Sequence, residues 1–396
     1  MIFLIQRSHT EQTHSEKARY TRPRGSFSSD NWQSEADGML KEEREETRER
    51  SAENSALECV EDYEREAKKN LTPSLINYIY SGTESQSTLE RNAKVFSKYL
   101  LRRRVLQGVE NVDLQASYFG GKIKSELPFF PGPVNVSPLY PNAVLDEIRV
   151  AEKYSIPLFI SHISFPDPLD LEKLPKLVSN PSSGLIWQIY LQSNNAELCF
   201  KQARLAESWG YRALTLTVDG ELNVKLHNAT PPELSSNQFI RVTPREIKKL
   251  CSTTNLPVII KGVMTGEDAE VAIESGADGV VVSNHGGRML DRGQATLDVL
   301  PEIVKRLKSK KRTRGAEIFF DGGIRRGTDI LIALALGARG CLLGRAVLWS
   351  LVVDRQRGVE NVMRILEGEL RRASILCGLS KLTDAKPSIV RENTRG

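Results

Sequence analysis

The sequence predicts an α/β protein built as a (β/α)8, or TIM, barrel, and three observations carry that expectation. Eight apolar runs of strand length alternate with segments of helical character from Pro128 onward. Most of these runs end in polar or ionisable residues, as strands do when the loops above them perform chemistry. The chain of 396 residues is long for an ordinary domain but suits a barrel of about 250 residues with an extension.

Residues 1–56 are rich in Ser, Thr, Glu and Arg and poor in large apolar side chains. Such a stretch buries too little surface to offset the entropy of ordering, so a disordered or loosely helical extension is expected. Its first five residues, Met1–Ile5, are apolar, too short for a signal-peptide core or a membrane span. From Cys59 the run Val60–Asn70 reads as a charged helix, and Ser81-Gly82 fits a helix stop.

The barrel domain is expected over 57–385, with a C-terminal tail over 386–396. Its candidate strands are Pro128–Val136, Pro157–Ser161, Leu185–Tyr190, Ala213–Asp219, Pro257–Lys261, Gly279–Ser283, Glu317–Asp321 and Cys341–Gly344. Helices between them carry start signals: Thr243-Pro-Arg-Glu246 and Thr265-Gly-Glu-Asp268 each place a hydroxyl cap three residues before an acid.

The formal net charge of +5 is diffuse apart from Lys308–Arg314, which reads as a solvated helix end, so no nucleic-acid partner is expected. The five cysteines are widely spaced and form no Cys-x-x-Cys pair. That pattern argues for a reducing compartment and against zinc or a disulfide framework. No membrane partner is expected either, and a cytoplasmic location follows.

The strand ends concentrate the chemistry. They carry Ser161 and His162, Gln188 and Tyr190, Thr217 and Asp219, Lys261, Ser283 and His285, Asp321, then Gly344 and Arg345. Asp321-Gly322-Gly323 offers backbone N–H groups free of Cβ obstruction, while Arg325 and Arg345 supply guanidinium forks, a combination suited to a terminal phosphate. By itself that site does not separate a flavin from a phosphorylated sugar or nucleotide. His285 follows the run Val280–Val282 and precedes Gly286, Gly287 and Arg288, which sets a group able to titrate near neutral pH beside an anion-binding cation.

The segment Ser283-Asn-His-Gly-Gly-Arg-Met-Leu-Asp291 resembles the active-site signature of the FMN-dependent 2-hydroxy acid oxidases and dehydrogenases, the group of glycolate oxidase, lactate oxidase and flavocytochrome b2. Asp321-Gly-Gly-Ile-Arg-Arg-Gly-Thr-Asp329 is similar to that family's phosphate-binding segment, and Gly344-Arg345 to its partner at the next strand end. The likeness runs from about Cys59 to Leu382, strong after Leu256 and patchy before Leu185.

The resemblance implies oxidation of the CH–OH group of a 2-hydroxy acid through FMN, with electrons passing to oxygen or another acceptor, in a homo-oligomer. It implies a cofactor site made by Ser161, Gln188, Thr217, Lys261, Ser283, Asp321, Gly323, Arg325, Gly344 and Arg345, with Lys261 beside the flavin pyrimidine edge. His285 would be the base, Asp219 its orienting carboxylate, Arg288 the carboxylate clamp, and Tyr190 and Tyr78 the tyrosines facing the substrate. Whether the substrate passes through a carbanion or transfers a hydride stays open.

The chain also departs from that family. After Thr217-Val-Asp219 the family continues with a proline, a glycine and paired arginines, one of them a second carboxylate clamp, and then a long mobile lid. Here the chain reads Gly220-Glu-Leu-Asn-Val-Lys225 and reaches the helix start at Thr243 after a short segment. Lys225 cannot reproduce a guanidinium fork. An atypical or weakened 2-hydroxy acid specificity is therefore expected, and a diverged flavin-binding paralogue with weak or lost catalysis is the alternative. The first barrel segment, Pro131-Gly-Pro-Val-Asn135, and the pair Ser161-His162 diverge as well. No His-Pro-Gly-Gly haem-domain segment precedes the barrel, which offers only His9 and His14 there, and the C-terminal Asn393-Thr-Arg-Gly396 is not a peroxisomal tripeptide.

Overall fold

The computed structural model describes residues 57–161, 164, 170–180, 184–191, 196–220, 241–310, 313 and 315–393. The expected N-terminal extension, His162, Lys225 and the lid segment 221–240 lie outside these residues.

Three helices precede the barrel: α1 (Val60–Lys69), α2 (Pro73–Tyr80) and α3 (Ser87–Lys94). Helix α1 buries Val60, Tyr63 and Ala67 at helical spacing and leaves its charged face outward. Helix α2 starts at Pro73, where the missing N–H costs nothing, and the Thr72 hydroxyl accepts from the Leu75 N–H at 3.4 Å. Strand β1 (Tyr99–Leu101) and the hairpin β2 (Ala116–Tyr118) and β3 (Ile123–Ser125) follow.

The barrel strands are β4 (Phe129–Pro131), β5 (Leu158–Ser161), β6 (Leu185–Ile189), β7 (Ala213–Thr217), β8 (Val258–Val263), β9 (Gly279–Val282), β10 (Glu317–Asp321) and β11 (Gly340–Leu343). A parallel ladder runs from β5 in order to β11 and on to β4, and its two ends lie side by side, so the eight strands nearly close a barrel. The eight expected strands are all present, with shifted ends. The first ends at Pro131 rather than Val136, and the fifth continues past Lys261 through Gly262, where a register shift against β9 marks a bulge.

The interleaved helices are α4 (Ala143–Lys153), α5 (Asp170–Lys173), α6 (Ala196–Trp209), α7 (Pro244–Thr253), α8 (Gly266–Glu274), α9 (Thr296–Ser309), α10 (Gly327–Ala335) and α11 (Arg345–Leu376). Both predicted caps form: Glu246 accepts from the Thr243 N–H at 2.9 Å, and the Thr265 hydroxyl from the Asp268 N–H at 3.1 Å. Helix α11 bends at Asp354–Arg355, where the dihedrals leave the helical region. Among the described residues no helix is long and apolar enough to cross a membrane.

Strands β4, β5, β6, β7, β9 and β11 are buried at every position, which is why they read as unbroken apolar runs. Aromatic rings fill the N-terminal end of the barrel. Phe130 stacks on Phe159 with centroids 5.8 Å apart, and Tyr118 of the β2–β3 hairpin lies 5.2 Å from Phe319. Each buried ring of this kind contributes roughly 1.5–3 kcal/mol. Glu317, at the start of β10, accepts from the Phe119 N–H at 3.0 Å and pairs with Arg339, fixing the hairpin across that end. The opposite end stays free for chemistry. After α11 the chain closes on itself as β12 (Val390–Glu392), antiparallel to β1.

Candidate active site

Because the strands are parallel, their C-terminal ends bring the predicted polar residues to one rim. The turn after β9 is the most constrained part of it. His285, Gly286 and Gly287 have φ of 57°, 66° and 74°, three successive left-handed residues of which only the glycines adopt that region readily. Glycine is also required sterically at 287, where a Cβ would lie 2.5 Å from the Leu89 backbone nitrogen. Asn284 closes the turn by accepting the Gly287 N–H at 3.0 Å.

This turn aims the imidazole back across the rim. His285 Nδ1 lies 3.0 Å from Asp219 Oδ1, and its Nε2 lies 3.4 Å from the Tyr190 hydroxyl. Room for Asp219 comes from the bulged β8, since a Cβ on Gly262 would stand 2.4 Å from the Asp219 carboxyl carbon. Burial alone would raise the Asp219 pKa, but the charges of His285 and Lys261 and the His285 hydrogen bond outweigh it. The carboxyl is held below its usual range. Burial pushes the Tyr190 phenol upward, so it stays a neutral hydrogen-bonding group.

Lys261 lies inside β8 rather than at its end, and its side chain is only 7 % exposed. Its ammonium donates to the Ser283 hydroxyl at 3.0 Å and stands 3.6 Å from Asp321 Oδ2. Beside it the Gln188 amide donates to Thr217 at 2.8 Å. Ser161, the last residue of β5, is buried on the same rim. Asp321 Oδ1, Gln188 Oε1 and Asp219 Oδ2 are buried without a hydrogen-bond partner among the described residues.

Arg288 and Arg345 converge on the end of α2. Arg288 Nη1 donates to the carbonyls of Tyr78 and Ser81, and its guanidinium lies over the Tyr78 ring at 5.3 Å. Arg345 donates to Ile79 at 2.8 Å, Ser81 at 3.1 Å and Gly286 at 2.9 Å. The α2 stop therefore differs from a left-handed glycine cap: Ser81 is extended, and guanidiniums satisfy the last carbonyls. Burial, then the neighbouring charges of Arg288 and Arg325, push Arg345 down to about 9, leaving it cationic at neutral pH.

Gly323 lets the phosphate-type segment approach α3, since a Cβ there would fall 1.8 Å from the Asn92 carbonyl oxygen. A cavity of about 460 Å³ opens beside Gly323, Arg325, Arg345, Tyr80 and Trp349. Arg325 has its own partners beside that cavity. It lies over Trp349 at 4.4 Å and reaches Glu64 at 3.4 Å, an acid that the linear motifs give no reason to select. Gly344 stands at the N-terminus of α11, with Arg345 its first residue.

Parallel strands that deliver titratable side chains to a single rim, above a sealed opposite end, define a barrel enzyme. The profile of the FMN-dependent dehydrogenase family matches residues 67–239 and 225–392. The chain is 31 % identical over 373 residues to 2-hydroxyacid oxidase 1 of Homo sapiens, covering 85 % of this chain and 97 % of that one. It is 34 % identical over 363 residues to an L-lactate oxidase of Nostoc, covering 83 % and 96 %. Among solved structures, mandelate oxidase superposes with a TM-score of 0.76 at 28 % identity, over 85 % of this chain and 99 % of that one. The flavin-binding domain of baker's yeast flavocytochrome b2 gives 0.77 at 28 % identity, over 85 % and 86 %.

This chain belongs to the FMN-dependent dehydrogenase family, oxidoreductases acting on CH–OH donors. FMN is its cofactor, and the rim suits that group. The unpartnered Gln188 Oε1 and Asp321 Oδ1 offer buried acceptors, Lys261 a buried cation, and the glycine-only approach at Gly323 a backbone cradle.

Proposed function

We propose that the protein oxidises a 2-hydroxy acid to the 2-oxo acid, with His285 as the base. The observation that carries this reading is the line Asp219, His285, Tyr190, which meets Arg288 and Tyr78 at the same rim. Asp219 orients the imidazole and stabilises its cation, so His285 Nε2 is directed inward to take a proton from the substrate. Arg288 binds the substrate carboxylate, and the Tyr190 and Tyr78 hydroxyls position the remaining oxygens. Bound FMN would supply the two-electron acceptor chemistry, with oxygen or another acceptor regenerating it. Ser161, Gln188, Thr217 and Ser283 would hold its ring and ribityl chain, Lys261 would compensate negative charge beside the ring, and Asp321, Gly323, Arg325, Gly344 and Arg345 would hold its phosphate.

The residues that follow Asp219, Gly220-Glu-Leu-Asn-Val-Lys225, include no arginine to stand for the family's second carboxylate clamp. A charge-assisted hydrogen bond is worth roughly 1.5–3 kcal/mol, so carboxylate binding should be weaker by about 10- to 150-fold while the chemistry persists. Bulkier 2-hydroxy acids should tolerate that loss best. Five free cysteines support a cytosolic setting, and the exposed Leu100, Val105 and Leu106 support a homo-oligomer.

The test is anaerobic bleaching of the purified flavoprotein across 2-hydroxy acids of increasing size. Bleaching by several acids with high Michaelis constants for glycolate and lactate is expected. Low Michaelis constants for those two would overturn the specificity, and no bleaching by any acid would favour a binding protein without turnover. His285→Ala should keep the flavin and slow bleaching by about 100- to 10,000-fold.

A further inference from the structure

The geometry points to Asn92, on a helix outside the barrel, as the positioning residue that holds the His285 turn in its active shape. The inference rests on His285 being the base and adds what keeps it in place.

Asn92 is only 2 % exposed. Its Nδ2 donates to Asn284 Oδ1 at 2.8 Å, and Asn284 Nδ2 donates back to Asn92 Oδ1 at 2.9 Å, a closed reciprocal amide pair. Every other contact of that pair ties down the rim. Asn284 Oδ1 accepts the Gly287 N–H that closes the turn, and Asn284 Nδ2 donates to the Gln294 carbonyl at 3.1 Å. Asn92 Oδ1 also accepts the Thr296 N–H at 3.3 Å, the first residue of α9. One side chain thus fixes both ends of the loop that follows β9.

That loop has reason to need fixing. His285 sits at positive φ without being glycine, a conformation that persists only when surrounding contacts over-determine it. Helix α3 is itself anchored to the same loop. Asp291 accepts from the Ser87 N–H at 3.0 Å and its hydroxyl at 2.8 Å, and the Thr88 hydroxyl donates to the Leu290 carbonyl at 2.7 Å. The Asn92 carbonyl also abuts Gly323 of the phosphate segment. By tying helix α3 to the loop, the Asn92 side chain therefore holds the helix whose backbone abuts the segment proposed to bind the cofactor's phosphate.

Asn92→Asp makes this testable within one protein. A protonated carboxyl presents one donor and one acceptor, as the amide does, whereas a carboxylate presents only acceptors and would face Asn284 Oδ1. Burial favours the protonated form, raising the pKa of that carboxyl above the ordinary range. The flavin-reduction rate of Asn92→Asp at saturating substrate should approach the wild-type rate at low pH. It should fall by about 100-fold as the carboxyl ionises, the loss typical of a misplaced catalytic group, and this limb should be absent from the wild-type profile. Asn92→Ala should be slow at every pH, with kcat lowered more than KM is raised, and its FMN dissociation constant, read by flavin fluorescence quenching, should rise.

A wild-type rate and pH profile in Asn92→Asp, or a rate equally reduced at all pH values, would overturn the positioning role even if Asn92→Ala fails to fold. His285→Ala run alongside separates the two readings. If it leaves the rate unchanged, the base assignment fails whatever Asn92 does.

Discussion

Asp219 carries much of the site's electrostatics, because it lies partly buried near the Lys261 ammonium, is hydrogen-bonded to His285, and keeps one oxygen without a hydrogen-bond partner among the described residues. Its lowered pKa makes it a stabilising group with a defined pH window. A carboxyl depressed in the folded state contributes stability that is complete above its unfolded pKa, 3.8, and that is lost as pH falls through the folded value. Asp219→Asn should cost on the order of 1.5–3 kcal/mol at neutral pH. The urea midpoints of wild type and variant should converge as the pH drops below about 4, and a gap unchanged at pH 2 would contradict the assignment. At this scale the sequence was informative. His285, Asp219, Lys261 and Arg288 stand at strand ends or next to glycines, where ionisable residues have few structural reasons to be. Asn92 and Glu64 were not legible, since their partners lie 192 and 261 residues away and each reads alone as an ordinary polar position on a surface helix.

At the scale of elements, tight approaches between helix and strand end shape the rim. Helix α3 meets the β10 loop with no space for a methyl group, so Gly323→Ala should force the two apart. Overpacking of this kind costs about 1–3 kcal/mol, and the left-handed φ of 80° adds strain. A lower melting temperature together with weaker FMN binding is expected, whereas a lower melting temperature alone would mean that the α3 contact does not shape the phosphate end. The barrel strands were readable because both their faces are buried, giving runs such as Val280–Val282 with no alternation to interpret. Their limits were less readable. A charge at Lys261 signals a strand end, yet the bulge at Gly262 lets β8 continue to Val263 with the lysine turned into the barrel mouth. Strands β1, β2, β3 and β12 have three residues each, too few for periodicity to announce them.

For the molecule as a whole, the cofactor and the fold are thermodynamically linked. A ligand that binds only the folded state stabilises it by about 2.7 kcal/mol at a hundred times its dissociation constant. The melting temperature should therefore climb with added FMN, and riboflavin at equal concentration should raise it less, because it lacks the phosphate that we propose Arg325, Arg345 and Gly323 hold. Equal shifts for both compounds would remove the phosphate role from that segment. The change after Asp219 belongs to this scale too, since the barrel follows the family while the sequence that follows Asp219 departs from it.

The pairing of β1 with β12 brings the two ends of the described fold together. Tyr99–Leu101 bonds to Val390–Glu392, the Arg102 N–H reaches the Ile389 carbonyl at 2.8 Å, and the Asn393 N–H reaches the Lys98 carbonyl at 2.6 Å. On a ribosome β1 emerges well before β12, because the whole barrel lies between them in the chain. Synthesis proceeds at about 5–20 residues per second. The newborn chain therefore carries β1 without its partner for many seconds, until the whole barrel and α11 have been made.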